Sequence, residues 1–353
     1  MRFVAANCLR EGMRLAKPLY RGTNTMLSSG ITLNQMYIDG IQRSGYSGAY
    51  IDDDLSQDIE VIDIISDELR METMKGIRKI ITTAQQGGKS VRPVDISAQV
   101  ERIVQELSAS RDVMVNILDL CSFDSYTYSH SLNVAVLAIV LGIAMNFPVG
   151  DLVALGCGAL LHDIGKVFIS KGIIQKTGPL TQEEFEQVKT HSRVGYDYIM
   201  AEYRLPPRNC RPILEHHERY DGSGYPAKKR GTEISLYGRI TAVADVYDAL
   251  ISERPYRKAL PPSEGVEYVM ASSGTLFDPE AVNAFTKKIA PYPVGTSVAL
   301  SNGWIGLVVK NYASYCLRPK VRIYQQGGVA VKPFEISLRD DFSYLNVIIS
   351  GVA

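Results

Sequence analysis

Apolar residues recur with helical spacing through the middle of the chain, whereas shorter, interrupted apolar segments stand near both ends. The spacing predicts one amphipathic helix from residue 66 to about 86 and a second from about 96 to 120. Residues 134–145 and 152–161 are apolar nearly all round, which is typical of helices at the centre of a bundle. The pattern therefore predicts a buried helical core that follows two amphipathic helices.

The two ends of the chain have a different pattern. Residues 1–65 alternate short apolar segments with turn signals and include a predicted strand at 46–51. After Pro291, the segments 294–300, 304–310 and 321–324 alternate or run apolar. The predicted fold class is multidomain: an all-α helical bundle as catalytic domain, with a small N-terminal mixed α/β domain and a small C-terminal β subdomain.

Composition narrows the functional classes. The 353 residues are 46% apolar and 22% charged, which is ordinary for a globular protein, and their formal net charge is zero. No bulk field therefore attracts a nucleic acid polymer or an anionic membrane. The five cysteines are widely spaced and odd in number, and the apolar run 134–145 is too short to span a bilayer. We expect a reduced, cytoplasmic protein without a membrane span.

Histidine is rare and clustered in this sequence. Its five copies all lie between positions 130 and 217, and His216 and His217 directly precede a glycine-rich loop that ends at Pro226. Imidazole is the commonest metal-binding side chain in proteins. This clustering favours one shared metal site over five unrelated histidines.

Two carboxylates extend this candidate site. Asp163 follows His162 in an apolar setting, and Asp245 stands in the middle of an apolar helical segment. Burying such groups is costly unless they are bound, either by a metal ion or in a plain buried His–Asp hydrogen bond. The metal interpretation assigns His130, His162, Asp163 and Asp245 to one ion, and Asp163, His191, His216 and His217 to a second. Mixed His/carboxylate sets favour two divalent ions, iron or manganese, over closed tetrahedral zinc.

The motifs His162-Asp163, Asp245, and His216-His217-Glu218 through Gly224-Tyr225-Pro226 resemble the HD-GYP family, a branch of the HD metal-dependent phosphohydrolases. The resemblance implies an HD-type helical bundle that hydrolyses cyclic di-GMP through pGpG and, in many members, on to GMP. The family's metal-ligand positions fall on the seven residues named above. Its substrate contacts fall on Lys166, Tyr225, Arg254 and Arg257, with Asp163 and Lys166 as the catalytic pair.

The resemblance also divides the chain. It implies the HD-GYP catalytic domain at 119–289, and the patterns on either side predict a regulatory or docking domain at 1–65, a helical linker at 66–118 and the β subdomain at 290–353. Expected partners are cyclic di-GMP itself, a diguanylate cyclase or receptor bound by the N-terminal domain or the Gly224-Tyr225-Pro226 loop, and a second copy in a homodimer. Two alternatives stay open: hydrolysis of another cyclic dinucleotide, and a catalytically silent receptor or adaptor.

Overall fold

The computed structural model describes residues 1–21, 24–46, 48–61, 64–87, 96–109, 114–116, 126–252 and 259–353, with the backbone alone at 21, 24, 115, 116, 126 and 127. The N-terminal segment contains five short strands and one helix: β1 (Arg2–Ala5), β2 (Arg14–Leu15), β3 (Leu19–Arg21), β4 (Asn24–Leu27), α1 (Gln35–Arg43) and β5 (Gly48–Asp52). β1, β5 and β2 form an antiparallel sheet in that order, and β3 pairs with β4.

The middle of the chain is mostly helical. Its elements are α2 (Asp67–Gln85), α3 (Ile96–Ala109), β6 (Val115–Asn116), α4 (Tyr126–Ala144), α5 (Val149–Leu160), α6 (Lys171–Ile174), α7 (Gln182–Lys189), α8 (His191–Glu202), α9 (Arg211–Glu215), α10 (Leu236–Ile251), α11 (Pro262–Ala271), α12 (Pro279–Lys288) and β7 (Ile289–Ala290). A short 3₁₀ helix, Ile164–Phe168, follows α5.

Local sequence explains where several of these helices begin. The Ser66 side chain caps α2 by accepting from Leu69 N–H, as its amphipathic pattern predicts. A capping box precedes α7: Thr181 accepts from Glu184 N–H, and the Glu184 carboxylate accepts from Thr181 N–H. α4 and α5 lie at the centre of the largest apolar cluster, which confirms the all-round apolar pattern as buried helix.

The helix predicted over 96–120 is wrong at residues 115 and 116, which are strand; 110–113 and 117–120 lie outside the described residues. α3 ends at Ala109, and β6 instead pairs in parallel with β7, matching Val115 with Ile289 and Asn116 with Ala290. Ile289 and Ala290 are fully buried, so this pairing connects the chain after α3 with the chain after α12 away from solvent. A strand that depends on a partner so distant in the chain leaves no signal in local periodicity.

The C-terminal segment forms a five-stranded antiparallel sheet. β8 (Ser297–Leu300), β9 (Trp304–Lys310), β10 (Lys320–Gln326), β11 (Val329–Ser337) and β12 (Ile349–Val352) are arranged in the order β11-β10-β9-β8-β12. Three of these strands overlap the predicted ones. β11 and β12 were not predicted; β11 is exposed at most positions and so lacks a clear alternation.

The N-terminal segment packs directly on this C-terminal sheet. Phe3 N–H donates to Gly295 O at 2.6 Å, and Phe3 shares a small apolar cluster with Tyr50 and Leu307. Arg322 adds a bidentate pair with Asp58, with both N···O distances 2.7 Å. The two ends of the described chain are therefore held together. No helix among the described residues has the length and apolarity needed to cross a membrane.

Candidate metal centre

Seven side chains that could bind metal meet at the centre of the helical segment. They fall into two groups in which the potential ligand atoms lie within 4.8 Å of one another: Asp163, His191, His216 and His217 in one, and His130, His162 and Asp245 in the other. These are the seven residues named from the sequence. The structure brings all of them together from five separate parts of the chain.

The fold delivers each ligand from an element boundary or a buried helix. His130 and Asp245 lie on the buried helices α4 and α10. His162 and Asp163 follow the end of α5, where the chain tightens into the 3₁₀ helix, whereas His191 starts α8 and His216 follows α9. The side chains at these boundaries therefore meet those of the two buried helices at one centre.

Gly165 permits the close approach that completes the cluster. A Cβ atom at this position would lie 1.9 Å from the backbone oxygen of His191 and 2.8 Å from Gly195 N. No side chain fits there, so the segment after Asp163 rests directly against the backbone of α8. Glycine at 165 therefore sets the distance between the His162-Asp163 pair and His191.

Backbone carbonyls orient three of the histidines. The Nδ1 atoms of His162, His191 and His216 lie 2.8, 2.6 and 2.9 Å from the carbonyl oxygens of Ala159, Val188 and Pro212, respectively. A carbonyl can only accept, so each Nδ1 carries the proton and each Nε2 presents its lone pair to the cluster. Local helical geometry thus selects the ligating tautomer.

Asp163 lies between the two groups. Its Oδ2 is 3.6 Å from His130 Nε2 and 3.4 Å from His162 Nε2, while its Oδ1 is 3.5 Å from His191 Nε2 and 3.8 Å from His216 Nε2. One oxygen therefore faces each group. This is the arrangement that a carboxylate bridging two cations requires.

His130 is held by a carboxylate that the sequence analysis missed. Its Nδ1 lies 2.7 Å from Asp248 Oδ2, and Asn133 donates to Asp248 Oδ1 at 2.9 Å. Asp248 is 1% exposed. The signal that identified Asp245, a carboxylate within an apolar helix, is equally present at Asp248, one turn later on α10.

Burial and charge set the protonation of the cluster. Burial lowers the pKa of His217 to about 3 and holds that of His216 well below its ordinary value. Burial by itself would raise the pKa of Asp163, but the neighbouring groups, the Lys166 ammonium first among them, outweigh it and leave that pKa well below the usual range. These residues present neutral imidazoles and an ionised carboxylate, which are the forms that bind cations.

His130 behaves differently. Burial opposes its charged form, yet hydrogen bonds to Asp245 and Asp248 outweigh burial and raise the pKa of His130 to about 9. Its Nε2 lies 3.2 Å from Asp245 Oδ1. In the protein without metal, a proton on His130 therefore offsets one of the two negative charges beside it, and a cation would take over that role.

The loop after His217 is built around a glycine and a glutamate. A Cβ at Gly224 would lie 2.3 Å from Arg219 N, so only glycine fits. Glu218 is 3% exposed, and its carboxylate accepts from Ala227 N–H at 2.7 Å and Lys229 N–H at 3.0 Å, which closes the loop. The result places the Tyr225 ring on His217, with centroids 4.7 Å apart and an interplanar angle of 30°.

Of the remaining predicted substrate contacts, the structure describes one and leaves two outside the described residues. Lys166 Nζ lies 2.6 Å from Asp163 Oδ2, and the Lys166 side chain is 35% exposed, so its ammonium stands at the edge of the cluster. Arg254 and Arg257 lie outside the described residues. Their assignment as substrate contacts stays a prediction.

Two buried polar atoms indicate that the cluster fits cations. Among the described residues, His162 Nε2 and Asp163 Oδ1 are buried and have no hydrogen-bond partner. An unpaired buried polar atom costs about 1–3 kcal/mol, and each of these two atoms points into one of the ligand groups. Cations coordinated in the two groups would satisfy both atoms.

Comparison with known proteins finds matches to the segment that carries this cluster and to the chain as a whole. Residues 112–281 match the family model described as HD domain. A cyclic di-GMP phosphodiesterase of Pseudomonas aeruginosa is 35% identical over 232 residues, covering 65% of this chain and 56% of the relative. The cyclic di-GMP phosphodiesterase response regulator RpfG of Xanthomonas campestris pv. campestris is 44% identical over 130 residues, covering 36% and 34%.

A relative with a different substrate name also matches this chain. The 3'3'-cGAMP-specific phosphodiesterase 3 of Vibrio cholerae is 37% identical over 170 residues, covering 48% of this chain and 36% of the relative. The chain thus spans between about a third and just over half of the length of these three relatives.

Proposed function

We propose that this protein, whose residues 112–281 match the HD domain family model, is a metal-dependent phosphodiesterase that hydrolyses cyclic di-GMP to pGpG and on to GMP. The observation that carries the proposal is the position of Asp163, with one carboxylate oxygen toward each of two ligand groups. Relatives named as cyclic di-GMP phosphodiesterases support the choice of substrate.

His130, His162, Asp163 and Asp245 would hold one divalent cation, and Asp163, His191, His216 and His217 the other. Iron and manganese suit this mixed set of imidazole and carboxylate ligands. A bound pair of such ions supplies a water-derived nucleophile at neutral pH and neutralises charge on the attacked phosphodiester. The tautomers fixed at Nδ1 keep the ligating nitrogens in place before the substrate arrives.

The chain's own side chains would bind and orient the substrate around this centre. The Lys166 ammonium stands at the edge of the cluster, where a phosphate oxygen can replace its contact with Asp163. The half-buried Tyr225 ring offers a flat face against which a purine base can stack. Arg254 and Arg257, outside the described residues, are proposed as a further phosphate or guanine contact.

Hydrolysis of cyclic di-GMP by the full chain tests this proposal. Protein purified without air and loaded with Mn or Fe should convert cyclic di-GMP to pGpG and then GMP, with products separated over time. The Asp163→Asn variant is the control for contaminating activity. Binding of cyclic di-GMP without turnover under every metal condition would instead favour the catalytically silent receptor.

A second cyclic dinucleotide is a specific alternative, because a relative named as a 3'3'-cGAMP-specific phosphodiesterase matches this chain over 170 residues at 37% identity. Side-by-side kinetics with cyclic di-GMP and 3'3'-cGAMP separate the two. We expect the larger kcat/KM for cyclic di-GMP. A reversed ratio would transfer the assignment to the mixed dinucleotide while leaving the metal centre intact.

The roles of the flanking segments are also proposals. We assign 66–118 as the linker, 119–289 as the catalytic domain and 290–353 as the β subdomain, with 1–65 as a regulatory or docking domain. Direct packing of the first segment on the last supports their acting as one unit.

A further inference from the structure

Three side chains form a row that leads from the metal ligands to the surface. The Tyr225 ring stacks on His217, and the Lys189 ammonium lies 5.9 Å from the centroid of that tyrosine ring. The same ammonium lies 5.2 Å from the centroid of the Phe185 ring. Exposure rises along the row, since Tyr225 is half-buried and Phe185 is 43% exposed.

The plain interpretation is a solvated helix face. Lys189 pairs with Glu186 at 2.5 Å, one turn earlier on α7, and isolated exposed aromatic residues are normal on protein surfaces. That interpretation does not account for one ammonium lying near two aromatic rings, one of which stacks on a candidate metal ligand.

Backbone connections fix this row relative to the metal centre. Lys189 is the last residue of α7, and His191 begins α8 two residues later. The carbonyl of Val188, directly before Lys189, is the one that orients His191 through its Nδ1 at 2.6 Å. The segment that positions a metal ligand therefore also positions Lys189.

We propose that Phe185 and Lys189 form a subsite for the second nucleotide unit of the substrate. This proposal rests on the proposed function. A cyclic dinucleotide has two phosphodiesters and two purine bases, so when one phosphodiester is at the metal centre the other half must extend away from it. Phe185 supplies a face for the distal purine, and Lys189 supplies a cation for the distal phosphodiester.

Two substrates of different size test the subsite. Bis(p-nitrophenyl) phosphate contains a phosphodiester but no second nucleotide, whereas cyclic di-GMP contains both. For Phe185→Ala and Lys189→Gln, we expect the ratio of kcat/KM for cyclic di-GMP to that for the small diester to fall about tenfold, mostly through KM, since base stacking and charge-assisted contacts contribute at that level. Phe185→Trp and Lys189→Arg should restore the ratio to within about threefold.

Lys176 is the matched control. It is also a partly exposed lysine next to α7, paired with Glu184 at 2.6 Å, and its side chain is 34% exposed against 25% for Lys189. Lys176→Gln should leave the ratio unchanged, and metal content measured by elemental analysis should be the same in all variants.

The outcomes are distinct. If the wild-type protein hydrolyses cyclic di-GMP and the ratio is unchanged in both variants, the subsite is wrong and the proposed function stands. An equal loss on both substrates means that α7 acts only by supporting His191, which also overturns the subsite. If the wild type hydrolyses only the small diester, the proposed function is wrong and the subsite with it.

Discussion

Asp163 is the residue on which both ligand groups depend, since each of its oxygens faces a different set of histidines. Around it, three backbone carbonyls each fix the tautomer of one imidazole. A buried carboxylate, Asp248, holds the ring of His130. The effect of changing one side chain should therefore be measured as metal content per chain as well as turnover.

Replacing the bridging carboxylate should affect both ions. Asp163→Asn keeps the volume but removes the charge, so metal per chain should fall from about two to below one, and kcat/KM by at least about a thousandfold, since metal charge stabilisation is worth several kcal/mol. Elemental analysis of desalted protein and initial rates measure the two effects. Full metal content together with wild-type rates would show that Asp163 does not bridge.

Lys166 should affect substrate binding without affecting metal. We expect Lys166→Ala to retain the wild-type metal content while kcat/KM for cyclic di-GMP falls about 10- to 100-fold, because a charge-assisted hydrogen bond to phosphate contributes roughly 1.5–3 kcal/mol. Steady-state kinetics and elemental analysis on the same preparation test this. Unchanged kinetics would rule out the phosphate contact.

Asp248 is a positioning residue, and its test is metal affinity. Asp248→Asn keeps the shape of the side chain but replaces the carboxylate that faces His130 Nδ1 with an amide. Loss of such an outer hydrogen bond typically lowers metal affinity about 10- to 100-fold. Competition with a chelator measures this, and Asp248→Glu should recover part of the affinity. Equal affinity in the wild type and Asp248→Asn would limit Asp248 to a packing role.

At the scale of the elements, most residues of the candidate site lie where helices begin or end rather than within helices. His162, Asp163, His191 and His216 all stand where a helix begins or ends, and Glu218 closes the loop that carries Tyr225. The close contact at Gly165 joins two of these junctions, the turn after α5 and the start of α8. The geometry of the site is therefore set by how elements meet.

A methyl group added at Gly165 should push the turn after α5 and the start of α8 apart. Gly165→Ala places a Cβ 1.9 Å from His191 O, so α8 must shift, and overpacking of this kind costs about 1–3 kcal/mol. We expect a lower Tm and a loss of metal. Gly172→Ala is the control, because its Cβ would meet only Ser170 Oγ at 3.7 Å. Thermal melts and metal analysis of both variants decide the matter.

Sequence reasoning named the seven side chains that the structure brings together because rare residue types and a long motif coincide there; their role as metal ligands stays a prediction. It missed Asp248 although that carboxylate stands in the same apolar helix as Asp245, and it could not have named its partner, because His130 meets Asp248 only once α4 and α10 pack together. It extended the helix after residue 96 too far because Val115 and Asn116 are strand only by virtue of Ile289 and Ala290, far along the chain. Local periodicity predicts elements, whereas pairing and support by distant residues are tertiary properties.

At the scale of the whole molecule, the first and last segments share a small core. Phe3, Tyr50 and Leu307 are buried together. The backbone of Phe3, in β1, also contacts Gly295 and Thr296. Arg322 and Asp58 bridge the same junction at the surface, where Asp58 is 62% exposed. The buried and the exposed contacts should differ in how much they contribute to stability.

Paired variants at this junction test that difference. Phe3→Ala removes a 4% exposed ring and should lower the free energy of unfolding by about 3–5 kcal/mol. Asp58→Ala removes an exposed ion pair and should cost about 1 kcal/mol or less, with a salt dependence. Denaturant melts at low and high salt measure both. A larger cost for Asp58→Ala than for Phe3→Ala would reverse this ranking.

The union of the two ends has a consequence for synthesis on the ribosome. Phe3, Tyr50, Ile59 and Val61 share their apolar cluster with Leu307, so these side chains lack that cover until residue 307 has been translated. The helical segment between them is built largely from contacts among its own residues and can fold earlier. Each nascent chain therefore carries a finished helical body and an N-terminal sheet with an uncovered apolar face, the kind of surface that chaperones bind.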